Sequence, residues 1–138
     1  MSFLGPSVGS AAIAAGVALP AMAKAKQRAQ MISCVNNLKQ IGLAARLYAN
    51  DHGDVLPADF ASMQEELNTP KILICPGDSS KSAGRDWKTF NFADASYEIV
   101  TPGAKTSEPQ KVFVRCRIHG SVGLVDGSAQ QRPRAQKP

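Results

Sequence analysis

The chain has 138 residues, a mass of 14.6 kDa and a formal net charge of +5, with 43% hydrophobic but only 6% aromatic residues. That size admits one domain with an appendage. The basic residues are dispersed, with Lys24, Lys26 and Arg28 beside an apolar stretch and Arg132, Arg134 and Lys137 in the tail; without zinc-finger spacing or an aromatic-interleaved basic strand, they argue against a nucleic-acid partner.

Met1 to Ala23 carries no charged side chain, and its length is close to the roughly 20 residues that span a bilayer. Gly5, Pro6, Gly9, Gly16 and Pro20 make it weakly hydrophobic, so packing among helices is needed to hold it in a membrane. A membrane-inserted helix is the expectation. A signal ending at Ala21-Met22-Ala23 and a soluble alanine-rich helix are the competing readings. Lys24, Lys26 and Arg28 come directly after the apolar run, which by charge bias alone would keep the C-terminal head on the cytoplasmic side.

Ile13 to Asp54 reads as one long helix. Met31, Val35, Leu38, Gly42, Ala45 and Ala49 recur at three- and four-residue steps and form its expected packing face. A second row, Cys34, Leu38, Ile41, Ala45 and Tyr48, widens that face enough to lie on a small globular body as well as on another helix. Asn50 to Asp54 supplies the glycine and short polar side chains that end helices, and Pro57 lies just beyond. From residue 20 to residue 50 such a helix extends roughly 45 Å, too long for a head of this size to cover. Lipid or neighbouring copies are expected to complete the cover.

The head begins after this helix. Asp59 caps a short helix whose Phe60, Met63 and Leu67 share a face, and Lys71 to Cys75 reads as a short buried strand ended by Pro76-Gly77. Asp78 to Ala95 is an ordered surface loop punctuated by Trp87, Phe90 and Phe92, with a flat binding patch as the alternative. Ser96 to Val100, Lys111 to Cys116, and Ser121 to Val125 paired with Gly127 to Gln130 across Asp126-Gly127 predict a small antiparallel sheet. The domain reading is a helix over 1–54, an α+β head over 55–131 and a disordered basic tail over 132–138.

Cys75 and Cys116 both sit in the head beside apparent strands, so they are the expected disulfide if the head is extracytoplasmic; three buried reduced thiols are the alternative. Cys116-Arg117-Ile118-His119 has a gap that zinc uses and Cys75 would make a third ligand, but no fourth emerges, so no metal site is assigned. Asn50, Asp51 and Asp54 lack the series of a calcium loop and read as a helix-ending turn. There is no G-x-S-x-G and no glycine-rich phosphate loop, so neither a catalytic residue nor a cofactor is expected, and a thiol or metal hydrolase on Cys75, Cys116 and His119 is set aside.

Leu19-Pro20-Ala21-Met22-Ala23-Lys24-Ala25-Lys26, Cys34-Val35-Asn36-Asn37-Leu38-Lys39-Gln40-Ile41-Gly42 and Tyr48-Ala49-Asn50-Asp51-His52-Gly53-Asp54 resemble the N-terminal helix of bacterial type IV pilin-like proteins and type II secretion pseudopilins. The resemblance covers Ala14 to Pro57 closely; Cys75-Pro76, Cys116 with Ile118-His119-Gly120, and Leu124 to Gly127 are similar, less specifically, to C-terminal parts of some of those proteins. It implies an α+β fold in which a long helix, kinked at Pro20, packs on a small antiparallel sheet. It also implies a structural, non-enzymatic subunit of a pseudopilus or pilus, assembling with its own copies and other pilin-like subunits. Such a subunit sits in the inner membrane with its head in the periplasm or at the cell surface. The chain departs from the family pattern in having no basic leader and no acidic residue before Asp51. The alternative is a membrane-anchored periplasmic module that binds a partner through the aromatic loop.

Overall fold

The computed structural model describes residues 4–84 and 86–132, with side chains from residue 19 onward. Beyond its first residue, the expected disordered tail lies outside the described residues, as do the side chains of the uncharged stretch up to residue 18. The fold is α+β: a long N-terminal helix laid on a four-stranded antiparallel sheet.

Helix α1, Leu4–Asn50, has 47 residues, about 70 Å at the usual rise. Pro20 lies inside it, where the ring removes one backbone donor. Among the described residues no helix is long and apolar enough to cross a membrane. The helix stops because Gly53 (φ 65°) and Asp54 (φ 62°) both turn left-handed, which lets the N–H groups of His52 and Asp54 donate to the Ala49 carbonyl. The Tyr48 and His52 rings stack at 3.7 Å over the same turn, which accounts for one of the two histidines.

One face of α1 is buried from Cys34 onward: Cys34, Leu38, Ile41, Ala44, Ala45 and Ala49 all enter the core, with Tyr48 packed at its margin. Leu38, Gly42, Ala45 and Ala49 of the expected packing face are thus covered by the chain's own head, while Met31 and Val35 are half-buried at its rim. Among the described side chains of α1, the large apolar ones that stand exposed are Leu19, Met22, Ile32, Leu43 and Leu47.

The chain then crosses the head in a turn of 3₁₀ helix, Ala61–Met63, and α2, Gln64–Leu67, which bury Met63 and Leu67. Lys71 to Cys75 is not a strand. Thr69 accepts a hydrogen bond from the Lys71 N–H and Pro70 is set for a helical first turn, so Pro70–Leu73 winds as 3₁₀ helix and overrides the β-branched isoleucines around it. The turn still meets the sheet, because the Ser96 N–H donates to the Leu73 carbonyl.

Strands β1 (Tyr97–Ile99), β2 (Val112–Cys116), β3 (Val122–Leu124) and β4 (Ala129–Gln130) form a meander in chain order, every neighbour antiparallel. The β1–β2 register sets Tyr97 opposite Cys116 and Glu98 opposite Arg115, which pair as ions. A register shift between Val112 and Val114 breaks the expected alternation, so that Phe113 and Val114 are both buried while Arg115 stays out. The β3–β4 turn runs through Asp126-Gly127 as expected, with Gly127 at φ 89° and the Leu124 N–H donating to the Ser128 carbonyl. That turn presses on the helix. A Cβ at Gly42 would lie 2.9 Å from the Gly127 Cα, so the two glycines let backbone meet backbone.

Candidate metal centre

Where α1 enters the head, separate parts of the chain each deliver sulfur or nitrogen to one point. Cys34 comes from the inner face of the helix, Cys75 from the loop after the Pro70–Leu73 turn, Cys116 from the end of β2 and His119 from the β2–β3 connection. Their potential ligand atoms, three Sγ and one imidazole nitrogen, all lie within 4.8 Å of one another. The three cysteines are buried and His119 is half-buried.

Each arm is held by its own local geometry. Pro76 and Gly77 form a tight turn closed by the Asp78 N–H on the Cys75 carbonyl, and within it the Gly77 N–H points to the Cys75 sulfur at 3.4 Å. Asp78 fixes that turn to the start of β1 by accepting from the Ser96 hydroxyl. On the other arm the Cys116 carbonyl accepts from the Gly120 N–H, and the His119 N–H points to the Cys116 sulfur at 3.4 Å. Gly77 also makes room for the imidazole: a Cβ there would stand 2.8 Å from the ring's Cε1. On the helix, Asn37 donates to the Ile74 carbonyl beside Cys75 and to the Tyr97 hydroxyl, tying the cysteine loop and β1 to the turn of α1 that carries Cys34.

The His119 Nδ1 lies 3.2 Å from the Cys75 sulfur and 3.9 Å from that of Cys116. The cysteines are free, so the Cys75–Cys116 bridge expected from the sequence is not formed in this structure; both thiols converge instead on His119 and Cys34. Their proximity separates their acidities. Hydrogen bonding to Cys116, with burial adding to it, pushes the Cys34 thiol far above its usual range. Burial pushes Cys75 up. Cys116 is pulled down to about 5, first by its hydrogen bond with Cys34 and then, against burial, by the backbone N–H groups of His119 and Ile118. Tyr97, buried against the Cys34 turn, is pushed up by desolvation.

Three thiols and an imidazole are the soft donor set that tetrahedral zinc takes. Around an ion with the usual bond lengths, sulfur and nitrogen would sit about 3.6 Å apart and sulfurs about 3.8 Å apart. The observed 3.2 and 3.9 Å straddle the first value. Sequence reasoning finds Cys75, Cys116 and His119 but not their fourth partner. The signal for it is the row Cys34, Leu38, Ile41, Ala45, Tyr48, which the head buries from Cys34 to Ala45.

The other candidates are used elsewhere. Trp87, Phe90 and Phe92 pack on one another with ring centroids 5.3 to 5.9 Å apart, Phe90 is buried and Trp87 donates to the Asn68 carbonyl. Asp51 and Asp54 flank the helix-ending turn. In comparisons with known proteins, no family model, no curated protein and no solved structure matches this chain.

Proposed function

We propose that this chain is a structural subunit that assembles through its N-terminal helix in the manner of pilin-like and pseudopilin subunits. Its neighbours are the inner membrane, its own copies and other pilin-like subunits, its head is displayed outside the membrane, and it has no catalytic role. The observation that carries this reading is the division of α1: one face is buried in the head from Cys34 to Ala49, whereas every residue from Leu19 to Ala29 is exposed. Leu19 and Met22, 69% and 66% exposed, are apolar surface that water disfavours by about 25 cal/mol per Å². Ala21, Ala23 and Ala25 beside them permit close helix approach. The aromatic loop supports a binding module less well, because its three rings are satisfied by one another and by the core.

A photo-crosslinking residue placed at Met22 in the full chain, expressed in a bacterial host, tests the reading. Membrane-fractionated material that crosslinks to further copies supports it. A freely soluble chain that yields only monomer at Met22 and, in a second variant, at Leu43 overturns it.

A further inference from the structure

We propose that Cys34, Cys75, Cys116 and His119 form a structural Zn²⁺ site that fastens the long helix to the head. The proposal does not depend on the assembly reading, since it rests on the geometry of the cluster alone.

Three observations converge on a metal. The ligand atoms come from separate parts of the chain, Cys75 and His119 being 44 residues apart, yet all four gather within 4.8 Å. Bringing three buried thiols and a histidine together in an otherwise apolar core costs desolvation that a coordinated cation offsets. The loops around the sulfurs are also shaped for thiolates: the N–H groups of Gly77 and His119 already point at Sγ of Cys75 and Cys116, each at 3.4 Å.

Four protein donors close a tetrahedron, which leaves no position for water or substrate and makes the site structural rather than catalytic. In the complex all three cysteines are thiolates, any thiol proton still held passing to solvent, the imidazole coordinates as the neutral ring, and three thiolates around a dication leave one net negative charge. The backbone N–H groups aimed at the sulfurs stabilise that charge. Zinc undergoes no redox change, so the thiols enter and leave the complex in the same oxidation state.

The site joins the helix to two separate parts of the head. Next to Cys34, the helix is tied to the Cys75 loop and to β1 by Asn37 and Tyr97, with hydrogen bonds of 3.2 to 3.5 Å. A metal at this point adds bonds from the same helical turn to the loop and to the end of β2.

The experiment uses the full chain, reduced and freed of metal, titrated with Zn²⁺ or Co²⁺ alone. Expected are one equivalent bound per chain, a Co²⁺ spectrum with the strong ligand-field bands of tetrahedral coordination and thiolate-to-cobalt charge transfer, and a rise in the unfolding temperature that chelator reverses. Cys34→Ser and His119→Ala are expected to weaken binding by more than the roughly 10–100-fold that outer-shell partners typically cost, while His52→Ala leaves it unchanged. Gly77→Ala guards against a variant that merely fails to fold. Gly77 is not among the glycines with positive φ, so alanine brings no backbone strain, but its Cβ displaces the His119 ring; a loss of about 10–100-fold in affinity with all three thiols retained is expected. The proposal is overturned if the chain binds no stoichiometric metal or the cobalt complex lacks thiolate character. It is equally overturned if thiol titration shows Cys75 and Cys116 oxidised to a disulfide in the native protein, or if Cys34→Ser binds as tightly as wild type.

Discussion

At the scale of single residues, Gly42 shows how one missing side chain sets the seating of the helix. Alanine there would gain about 1 kcal/mol in helix propensity. Its Cβ, however, would sit 2.9 Å from the Gly127 Cα and 3.0 Å from the Gly127 carbonyl oxygen, and backbone cannot swing aside as a side chain can. Overpacking of this kind costs about 1–3 kcal/mol, so Gly42→Ala is expected to lower the urea midpoint, whereas Leu43→Ala on the exposed side leaves it nearly unchanged. The glycine is legible in the sequence as part of an apolar row, but its partner is not, because a helical wheel ranks faces without saying what lies against them. The same blindness hid Cys34. Two overlapping rows run along α1, and only the position of the sheet decides that Cys34 faces inward, where it meets Cys75, Cys116 and His119.

At the scale of elements, the turns of the head share a device. Asp59 accepts from Ser62, Asp78 from Ser80, and Asp126 from both the N–H and the hydroxyl of Ser128. These hydrogen bonds hold all three carboxyls below the usual aspartate range, the serine contact being the chief cause in each. A carboxyl whose folded pKa is depressed contributes stability that is present above its unfolded pKa and is lost as pH falls through the folded value. The turns are therefore expected to hold at neutral pH and to loosen only below the ordinary aspartate pKa of 3.8. An NMR titration of the Ser128 amide should move in that acid window, and Asp126→Asn should flatten the movement. The strands are readable because period-two alternation and the Asp126-Gly127 turn act locally, so β1 to β4 fall within the expected segments. Lys71 to Cys75 misleads for the opposite reason: its isoleucines favour a strand, but the preceding Thr69-Pro70 pair sets the backbone into a 3₁₀ turn.

At the scale of the whole molecule, α1 has two unlike sides even where the head covers it. Leu43 and Leu47, 60% and 48% exposed, lie away from the buried row. Leu43→Lys is expected to change the stability of the head by no more than about 0.5 kcal/mol, as surface substitutions do. If copies pack along that side, the same change abolishes crosslinking from Met22 and shifts sedimentation towards the monomer; unchanged self-association would remove Leu43 from the interface.

Among the described side chains of α1, burial sets in at Gln30, and Cys34 is the first fully buried one beyond that seam. A tug on the rod from its N-terminal end is consequently borne at the seam before it reaches Asn50, like a load on the first stitch of a hem. Peeling should begin there and run towards the C-terminal end of the helix. Single-molecule pulling between Leu19 and Arg132 is expected to show one rupture whose force falls in Asn37→Ala, where the seam loses its ties to the Ile74 carbonyl and Tyr97.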